Sequence, residues 1–218
     1  MTSATLRGIA RLLPTALVVA LLAACSPTTT TAALRAAEPD YAQGWNAVAV
    51  DGAPEMPRAD FVDANGEPFD LRAAIREKPT LVYFGYTNCP DICPVHLANI
   101  AQTLRSGTVR SEQINVVLVT TDPARDTPEV LGDYLDRFDA SFIGLWAPQE
   151  EVDRVVVELD LPKPVLEKQP GSSEYTVGHP GQVLAFDTQG RARLAYPFGT
   201  RQSQWAQDLP KLVNEDWS

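Results

Sequence analysis

The segment TLVYFGYTNCPDICPVHLANI, residues 80–100, constrains the fold more than any other part of the sequence. Residues 80–86 carry no charge and are rich in β-branched and aromatic side chains, which predicts a strand buried on both faces. Pro94 then suits the first turn of a helix. Two cysteines, Cys89 and Cys93, stand at the junction of the two elements, so any chemistry they carry sits where a strand ends and a helix begins.

The remaining sequence continues the alternation of strand and helix patterns. A second β-branched run at 114–122 predicts another buried strand, and Thr127 followed by Pro128 predicts a helix with Thr127 as its N-cap. The other predicted elements are a hairpin at 61–62 and 69–71 around Asn65-Gly66, a short strand at 142–146, a helix at 149–159, an exposed loop at 161–175, a hairpin at 183–186 and 193–196, and a helix at 203–213 capped by Ser203. This order predicts an α/β fold, a thioredoxin-like sandwich whose central mixed sheet is flanked by helices, with an N-terminal β-hairpin.

Length and charge limit the partners of such a domain. The chain has 218 residues and a formal net charge of −10. That length suits one α/β domain with little to spare. An acidic chain does not neutralise a phosphate backbone, so we expect no nucleic-acid partner.

The N-terminus has the features of an export signal. Arg7 and Arg11 precede an apolar run at 12–24 that is shorter than the roughly 20 residues of a spanning helix. The sequence Leu-Ala-Ala-Cys ending at Cys25 resembles a bacterial lipobox, whose cysteine is lipidated. We therefore predict a lipoprotein signal peptide at 1–24, a flexible tether at 25–50 and the folded domain at 51–218, anchored to the cell membrane on its extracytoplasmic side. An uncleaved anchor or an ordinary secreted protein is the alternative.

The spacing of Cys89 and Cys93 leaves three kinds of chemistry open. Both lie near a helix N-terminus, which favours thiolates, and a spacing of four residues places both sulfurs on one face of a helical turn. The pair could exchange electrons as a dithiol, hold a soft metal ion, or close an inert disulfide. A disulfide across so short a loop stabilises little, which disfavours the last reading.

The chain has two histidines that a metal site could recruit. His179 lies in the loop before the strand at 183–186. In a thioredoxin-like sheet that loop lies beside the redox helix, so His179 can face both sulfurs; an ordinary surface histidine is the alternative. His96 follows Cys93 by three residues and is expected as an exposed first-turn side chain, with a secondary metal ligand as the alternative.

Three segments together resemble one family. VYFGYTNCPDICP, TTDPARDTPEVL and YTVGHPGQVLAFDTQGR, in this order, are similar to the sequence blocks of the Sco/SenC family, the copper-binding assembly factors of cytochrome c oxidase. The resemblance covers residues 56–213. One departure is Pro180, where the family commonly has serine; the His179-Pro180 bond is therefore a candidate cis peptide.

The resemblance implies a function and a set of site residues. Cys89 and Cys93 would be the redox-active copper thiolates and His179 the third ligand, with the thiolates holding copper(I) and His179 joining for copper(II). The implied role is that of a metallochaperone that delivers copper to, or reduces the thiols of, the binuclear copper site in cytochrome c oxidase subunit II. Other copper chaperones or thioredoxin-like reductants are further expected partners.

Two other activities remain open from the sequence. The first is an extracytoplasmic thiol-disulfide oxidoreductase that delivers no metal. The second is a peroxidase of the peroxiredoxin kind. The sequence resembles that class only in Thr87, which stands before the first cysteine.

The acidic loop after the second strand, residues 122–128, also matches the family. A structural role is expected for it, with Asp126 and Thr127 capping a helix and Arg125 pairing with a neighbouring carboxylate. Asp91, between the cysteines, is expected to be a solvated carboxylate and no ligand.

Overall fold

The computed structural model describes residues 41–168, 171 and 174–217. The predicted signal peptide, Cys25 and most of the predicted tether lie outside these residues. Among the described helices, none combines the length and apolar character needed to cross a bilayer.

The described residues form a mixed sheet of six strands with helices on both sides. Its order is β1-β10-β9-β4-β5-β6, where β4, β5 and β6 run parallel and β9 is antiparallel to β4. The strands are β1 Val48–Ala49, β2 Phe61–Val62, β3 Pro68–Phe69, β4 Thr80–Gly85, β5 Asn115–Thr120, β6 Ile143–Leu145, β7 Val165–Lys168, β8 Tyr175–Gly178, β9 Val183–Phe186 and β10 Ala192–Tyr196. The helices are α1 Leu71–Glu77, α2 Ile92–Arg105, α3 Pro128–Leu135, α4 Gln149–Glu158 and α5 Gln202–Val213.

The two central strands divide the core into two apolar layers. Every residue of β4 and of β5 is buried. Because successive strand residues face opposite sides, Tyr83 packs in the cluster that contains side chains of α2 and α5, while Phe84 packs in the cluster that contains side chains of α1 and α4. This confirms the predicted thioredoxin-like sandwich, and the hairpin of β2 and β3 confirms the predicted N-terminal hairpin.

Local sequence patterns account for the start of α3. Thr127 is its N-cap, and the Thr127 hydroxyl accepts a hydrogen bond from the backbone N–H of Val130 at 3.3 Å. Pro128, the first helical residue, loses no helical hydrogen bond there because that position has no intrahelical acceptor. Both features were predicted.

Elsewhere the structure differs from the prediction. The expected loop at 161–175 contains β7, which pairs with β8 in a separate two-stranded ribbon. The folded part begins before residue 51, because β1 pairs with β10 and Trp45 is buried within the range predicted as tether. α1 was not predicted, and the N-cap of α5 is Arg201 instead of Ser203. Pairing with distant segments decided β7 and β1, whereas α1 and α5 begin at local caps, Asp70 for α1 and Arg201 with Gln204 for α5.

Candidate metal centre

The two cysteines are fixed by the junction of β4 and α2. Cys89 lies in the connecting loop, where its backbone N–H donates to the carbonyl of Tyr86 at 3.2 Å. Cys93 is the second residue of α2, and its backbone N–H points at Cys89 Sγ at 3.4 Å. Both thiols are free and buried: Cys93 is 0% exposed and Cys89 is 8% exposed. Both sulfurs therefore lie at the N-terminus of α2, as the spacing predicted.

His179 joins the sulfurs from the loop between β8 and β9. Its Nε2 lies 3.6 Å from Cys89 Sγ and 3.5 Å from Cys93 Sγ. The three candidate ligand atoms all lie within 4.8 Å of one another. The structure thus brings together the two cysteines and the histidine that the sequence separates by 86 residues or more.

The hydrogen bonds of His179 leave its sulfur-facing nitrogen free for a metal. On the other side of the ring, Nδ1 lies 2.9 Å from the carbonyl oxygen of Phe84 and 3.0 Å from that of Pro180. Carbonyl oxygens only accept, so Nδ1 carries the proton and Nε2 presents a lone pair to the sulfurs. A backbone carbonyl that orients the far nitrogen is the usual support of a metal-binding histidine.

The two thiols differ in acidity because they share one small site. The pKa of Cys89 is lowered mainly by a hydrogen bond from the Cys93 side chain, against the opposing effect of burial. Burial, followed by the neighbouring Cys89 sulfur, raises the pKa of Cys93. The reduced pair therefore holds one thiolate and one thiol, and binding a metal through both sulfurs would release the remaining proton.

Space for the Cys93 sulfur depends on Gly85, the last residue of β4. A Cβ at this position would lie 2.7 Å from Cys93 Sγ, closer than side-chain atoms approach, and 3.1 Å from the Tyr83 ring. Burial, followed by the nearby Cys93 sulfur, raises the pKa of the Tyr83 hydroxyl. Sequence reasoning took Gly85 only as part of a strand; a glycine inside a buried strand is itself a sign of close approach.

Asp126 holds the loop that precedes Cys89. Its buried carboxylate accepts from the backbone N–H of Thr87 at 3.0 Å, from the Thr87 hydroxyl at 2.5 Å and from the Thr120 hydroxyl at 2.7 Å. The sequence predicted that Asp126 caps α3. The structure shows instead that Asp126 ties the cysteine loop to β5. The predicted pairing of Arg125 is confirmed, since it forms an ion pair with Asp122.

Two further expectations are corrected by the structure, and a third agrees with it. His96 is 1% exposed, not a surface side chain, and its Nε2 lies 3.1 Å from the Gly181 carbonyl instead of facing the sulfurs. The described residues contain no cis peptide bond, so the His179-Pro180 bond is trans. Asp91 is exposed, as expected for a solvated carboxylate. His96 is buried because α2 packs under the loop that carries His179.

A surface cavity of about 330 Å³ gives access to the centre. Its walls include Tyr86, Cys89, Ile92 and His179, whereas Cys93 does not reach it. An incoming ion or thiol would therefore meet Cys89 and His179 first.

The fold and the centre together define a class of protein. A thioredoxin-like domain with two free cysteines at a helix N-terminus and a facing histidine combines a dithiol with a candidate soft-metal site. The family model described as SCO1/SenC matches residues 51–214. The chain belongs to the SCO1/SenC family.

Individual relatives agree with this assignment. A putative copper-binding protein of Stutzerimonas stutzeri is 35% identical over 140 residues, which cover 63% of this chain and 67% of the relative. An SCO2-like protein of Rickettsia prowazekii is 33% identical, and the match covers 61% of this chain but only 64% of that protein. The chain thus spans about two thirds of the length of these curated relatives.

Solved structures show the same fold. Copper-bound ScoI of Bradyrhizobium japonicum is 28% identical with a TM-score of 0.64, and the match covers 72% of this chain and 99% of that one. BsSco, described as a member of the Sco family of cytochrome c oxidase assembly proteins with a disulfide switch, has a TM-score of 0.56 at 17% identity, covering 76% of this chain and 94% of that one. The latter likeness concerns the fold alone.

Proposed function

We propose that this protein is an exported, lipid-anchored copper-binding protein that delivers copper to, or reduces the thiols of, the binuclear copper site in cytochrome c oxidase subunit II. The observation that carries the proposal is the approach of His179 Nε2 to both sulfurs, at 3.5 and 3.6 Å. The copper-bound relative and the membership of the chain in the SCO1/SenC family support it.

The donor set fits copper. Thiolate is a soft ligand that suits copper(I), and an added imidazole suits copper(II). Cys89 and Cys93 would hold copper(I), and His179, whose Nε2 lone pair already faces the sulfurs, would join them for copper(II). Bound copper would supply a cargo that ligand exchange can pass to a partner.

A second function is favoured by the difference between the two thiols. Cys89 borders the surface cavity and has the lowered pKa, while Cys93 is fully buried. This asymmetry is typical of dithiol exchange, in which one thiolate attacks a client disulfide and the second thiol displaces the client. The client disulfide would gain two electrons and two protons and become two thiols, while Cys89 and Cys93 would become a disulfide.

Copper binding and thiol exchange use the same sulfurs and therefore exclude each other. Oxidation of Cys89 and Cys93 to a disulfide removes both thiolates, so copper can be loaded only onto the reduced pair. The proposed membrane anchor is lipidated Cys25, which keeps the domain on the extracytoplasmic side, where such redox changes occur. Other copper chaperones or thioredoxin-like reductants would then supply the copper or the electrons.

Copper titration of the reduced full-length protein tests the proposal. Copper(II) should give a sulfur-to-copper charge-transfer band that Cys89→Ala abolishes and His179→Ala shifts or weakens. Copper(I) binding should be lost with either cysteine and largely kept in His179→Ala. A reduced protein that binds neither copper ion would overturn the copper proposal.

A client peptide containing the two cysteines of the subunit II copper site separates the two activities. Transfer predicts that the reduced peptide removes copper from the loaded protein. Reduction predicts that the oxidised peptide is reduced while Cys89 and Cys93 become a disulfide. Membrane attachment is tested by Cys25→Ser, which should move the protein from the membrane to the soluble fraction.

A further inference from the structure

The strand that leads into His179 does not belong to the central sheet. β8 pairs only with β7 among the described strands, and all four residues of β7 are exposed. Backbone pairing therefore does not attach β8 to the domain core. Whatever places the upstream side of His179 must act through side chains.

Arg125 makes the most extensive of these side-chain attachments. Its Nη1 donates to the backbone carbonyl of Tyr175, the first residue of β8, at 3.1 Å. The same guanidinium lies over the Tyr175 ring, with 3.7 Å between Cζ and the ring centroid. One side chain thus holds both the backbone and the ring of Tyr175.

Asp122 completes the attachment. Its carboxylate accepts from Nε of Arg125 and, at 2.9 Å, from the hydroxyl of Tyr175. Asp122 is 2% exposed, and its backbone carbonyl accepts from the N–H groups of Arg125 at 3.1 Å and Asp126 at 2.9 Å. Arg125 and Asp122 are therefore themselves fixed by the loop after β5.

Other attachments also act on this side of the histidine. The Val177 side chain is 4% exposed and packs in the apolar cluster that contains the two cysteines. The Tyr86 hydroxyl accepts from the backbone N–H of Val177 at 3.2 Å, and the Tyr86 ring meets the His179 ring edge-on with centroids 5.4 Å apart. Arg125 also lies 5.7 Å from the Tyr86 ring centroid. The guanidinium thus lies near two aromatic rings, that of Tyr175 in β8 and that of Tyr86.

We propose that Arg125 is a positioning residue for His179. By fixing β8 to the loop after β5, it holds Nε2 of His179 within reach of both sulfurs. The inference rests on the proposed copper function of the site and adds one feature to it: copper(II), which needs the imidazole, depends on Arg125, whereas copper(I), held by the cysteines, does not.

Three variants of the full-length protein test this. Arg125→Gln removes the charge, the stacking and the Tyr175 hydrogen bond. Arg125→Lys keeps a positive charge for Asp122 but lacks the planar fork that reaches Tyr175. Arg154→Gln is the matched control, because Arg154 pairs with Glu151 and Glu158 on α4. In the part of the chain that the structure describes, no hydrogen bond or ion pair joins Arg154 to Cys89, Cys93 or His179.

The expected result is selective for the oxidation state. Arg125→Gln should lower the copper(II) affinity about tenfold, because it loses a hydrogen bond and a cation–π contact. The copper(II) charge-transfer band of the variant should move toward that of His179→Ala. Arg125→Lys should give a smaller change in the same direction. Copper(I) affinity in both variants, and both affinities in Arg154→Gln, should stay within about threefold of the wild type, a factor that corresponds to about 0.7 kcal/mol.

A second readout needs no copper. In the reduced, metal-free protein, the amides of residues 175–178 should exchange with solvent about tenfold faster in Arg125→Gln, while the amides of α2 keep their protection. If Arg125→Gln fails to fold, Arg125→Lys carries both measurements.

The outcomes distinguish the two proposals. A reduced wild-type protein that binds neither copper ion refutes the proposed function. A wild-type protein that binds copper(I) but shows no His179-dependent copper(II) band refutes the positioning role. A wild-type protein with that band, combined with unchanged copper(II) binding and unchanged exchange in the Arg125 variants, refutes the positioning role. Equal loss of copper(I) and copper(II) also refutes it, because Arg125 would then act on the whole domain.

Discussion

The segment that carries the cysteines and the segment that carries His179 are built in different ways. Cys89 and Cys93 follow β4, a fully buried strand paired on both sides by β5 and β9, and Cys93 is already part of the 14-residue helix α2. His179 instead follows a two-stranded ribbon tied to the core by side chains. The fold therefore fixes the two thiolates firmly and the imidazole through a few replaceable contacts.

This difference suits the proposed function, in which the site would hold a copper ion and also release it. Thiolates in a rigid position keep the affinity for copper(I), while a ligand on an adjustable arm allows the coordination to change with the oxidation state. The following predictions test whether the cysteine segment is the more sensitive of the two.

The largest effect is expected for Asp126→Ala, which removes the support of the cysteine segment from the loop after β5. The substitution leaves the Thr87 N–H and the Thr120 hydroxyl without their buried acceptor. We expect the free energy of unfolding to fall by about 4 kcal/mol, measured by urea denaturation of the reduced protein. A loss below about 1 kcal/mol would show that the cysteine loop has other supports.

The pH dependence of stability gives a gentler test of the same carboxyl group. Burial raises the pKa of Asp126 despite its hydrogen bonds from Thr87 and Thr120. A raised carboxyl pKa means that the folded state binds the proton more tightly, so its contribution to stability is largest at acidic pH and decreases as the pH rises through the folded pKa. The difference in unfolding free energy between wild type and Asp126→Asn should therefore decrease from pH 4 to pH 7; an increase would contradict the assigned shift.

A smaller effect is expected for Gly85→Ala. The new methyl group would lie 2.7 Å from Cys93 Sγ and displace the sulfur. We expect a loss of about 2 kcal/mol in stability, with copper(I) and copper(II) affinities falling together. Gly181→Ala is the matched control, because its Cβ would meet only Ile92, at 3.7 Å. Equal losses of stability and of copper affinity in the two variants would contradict a tightly packed pocket around Cys93.

In the histidine segment, Tyr86→Phe should have a weaker and more selective effect. It removes the hydroxyl that accepts from the Val177 N–H, which costs about 1 kcal/mol of stability. Copper(II) affinity should fall by about threefold and copper(I) affinity should not change. Tyr134→Phe is the control, since the buried Tyr134 hydroxyl has no hydrogen-bond partner among the described residues. If Tyr86→Phe lowered the affinities for both copper(I) and copper(II), Tyr86 would support the cysteine segment and not the histidine segment alone.

The smallest effect is expected for Leu166→Ser in the ribbon. Leu166 is 57% exposed, so the substitution should change the unfolding free energy by no more than about 0.5 kcal/mol and leave copper binding intact. Thermal denaturation and the copper(II) spectrum check this. A large destabilisation would mean that the ribbon is part of the cooperative core, contrary to its described contacts.

Much of the cysteine segment could be predicted from the sequence because its determinants are local. The uncharged run at 80–86 predicted β4, and Thr127 with Pro128 predicted the start of α3. The spacing of Cys89 and Cys93 predicted that both sulfurs lie at one helix N-terminus. Such patterns act over a few residues, which is the range at which propensity and capping work.

The histidine segment was harder to predict because its contacts join distant residues. The prolines at 162, 164 and 170 and the mixed charges indicated a loop, yet β7 forms because β8 lies beside it. His96 appeared as an exposed helical residue, but Gly181, 85 residues away, packs over it. Asp126 appeared as a helix cap, but Thr87, 39 residues away, is its partner.

The sequence by itself therefore determined the class of fold, the family and the residue types of the centre, since these follow from periodicity and from motifs of neighbouring residues. The tertiary structure alone decided the distance from His179 to the sulfurs, the trans peptide that follows it and the attachment of β8 by Arg125. Pairing between segments that are far apart in the chain depends on the packed core as a whole, and no local pattern encodes it.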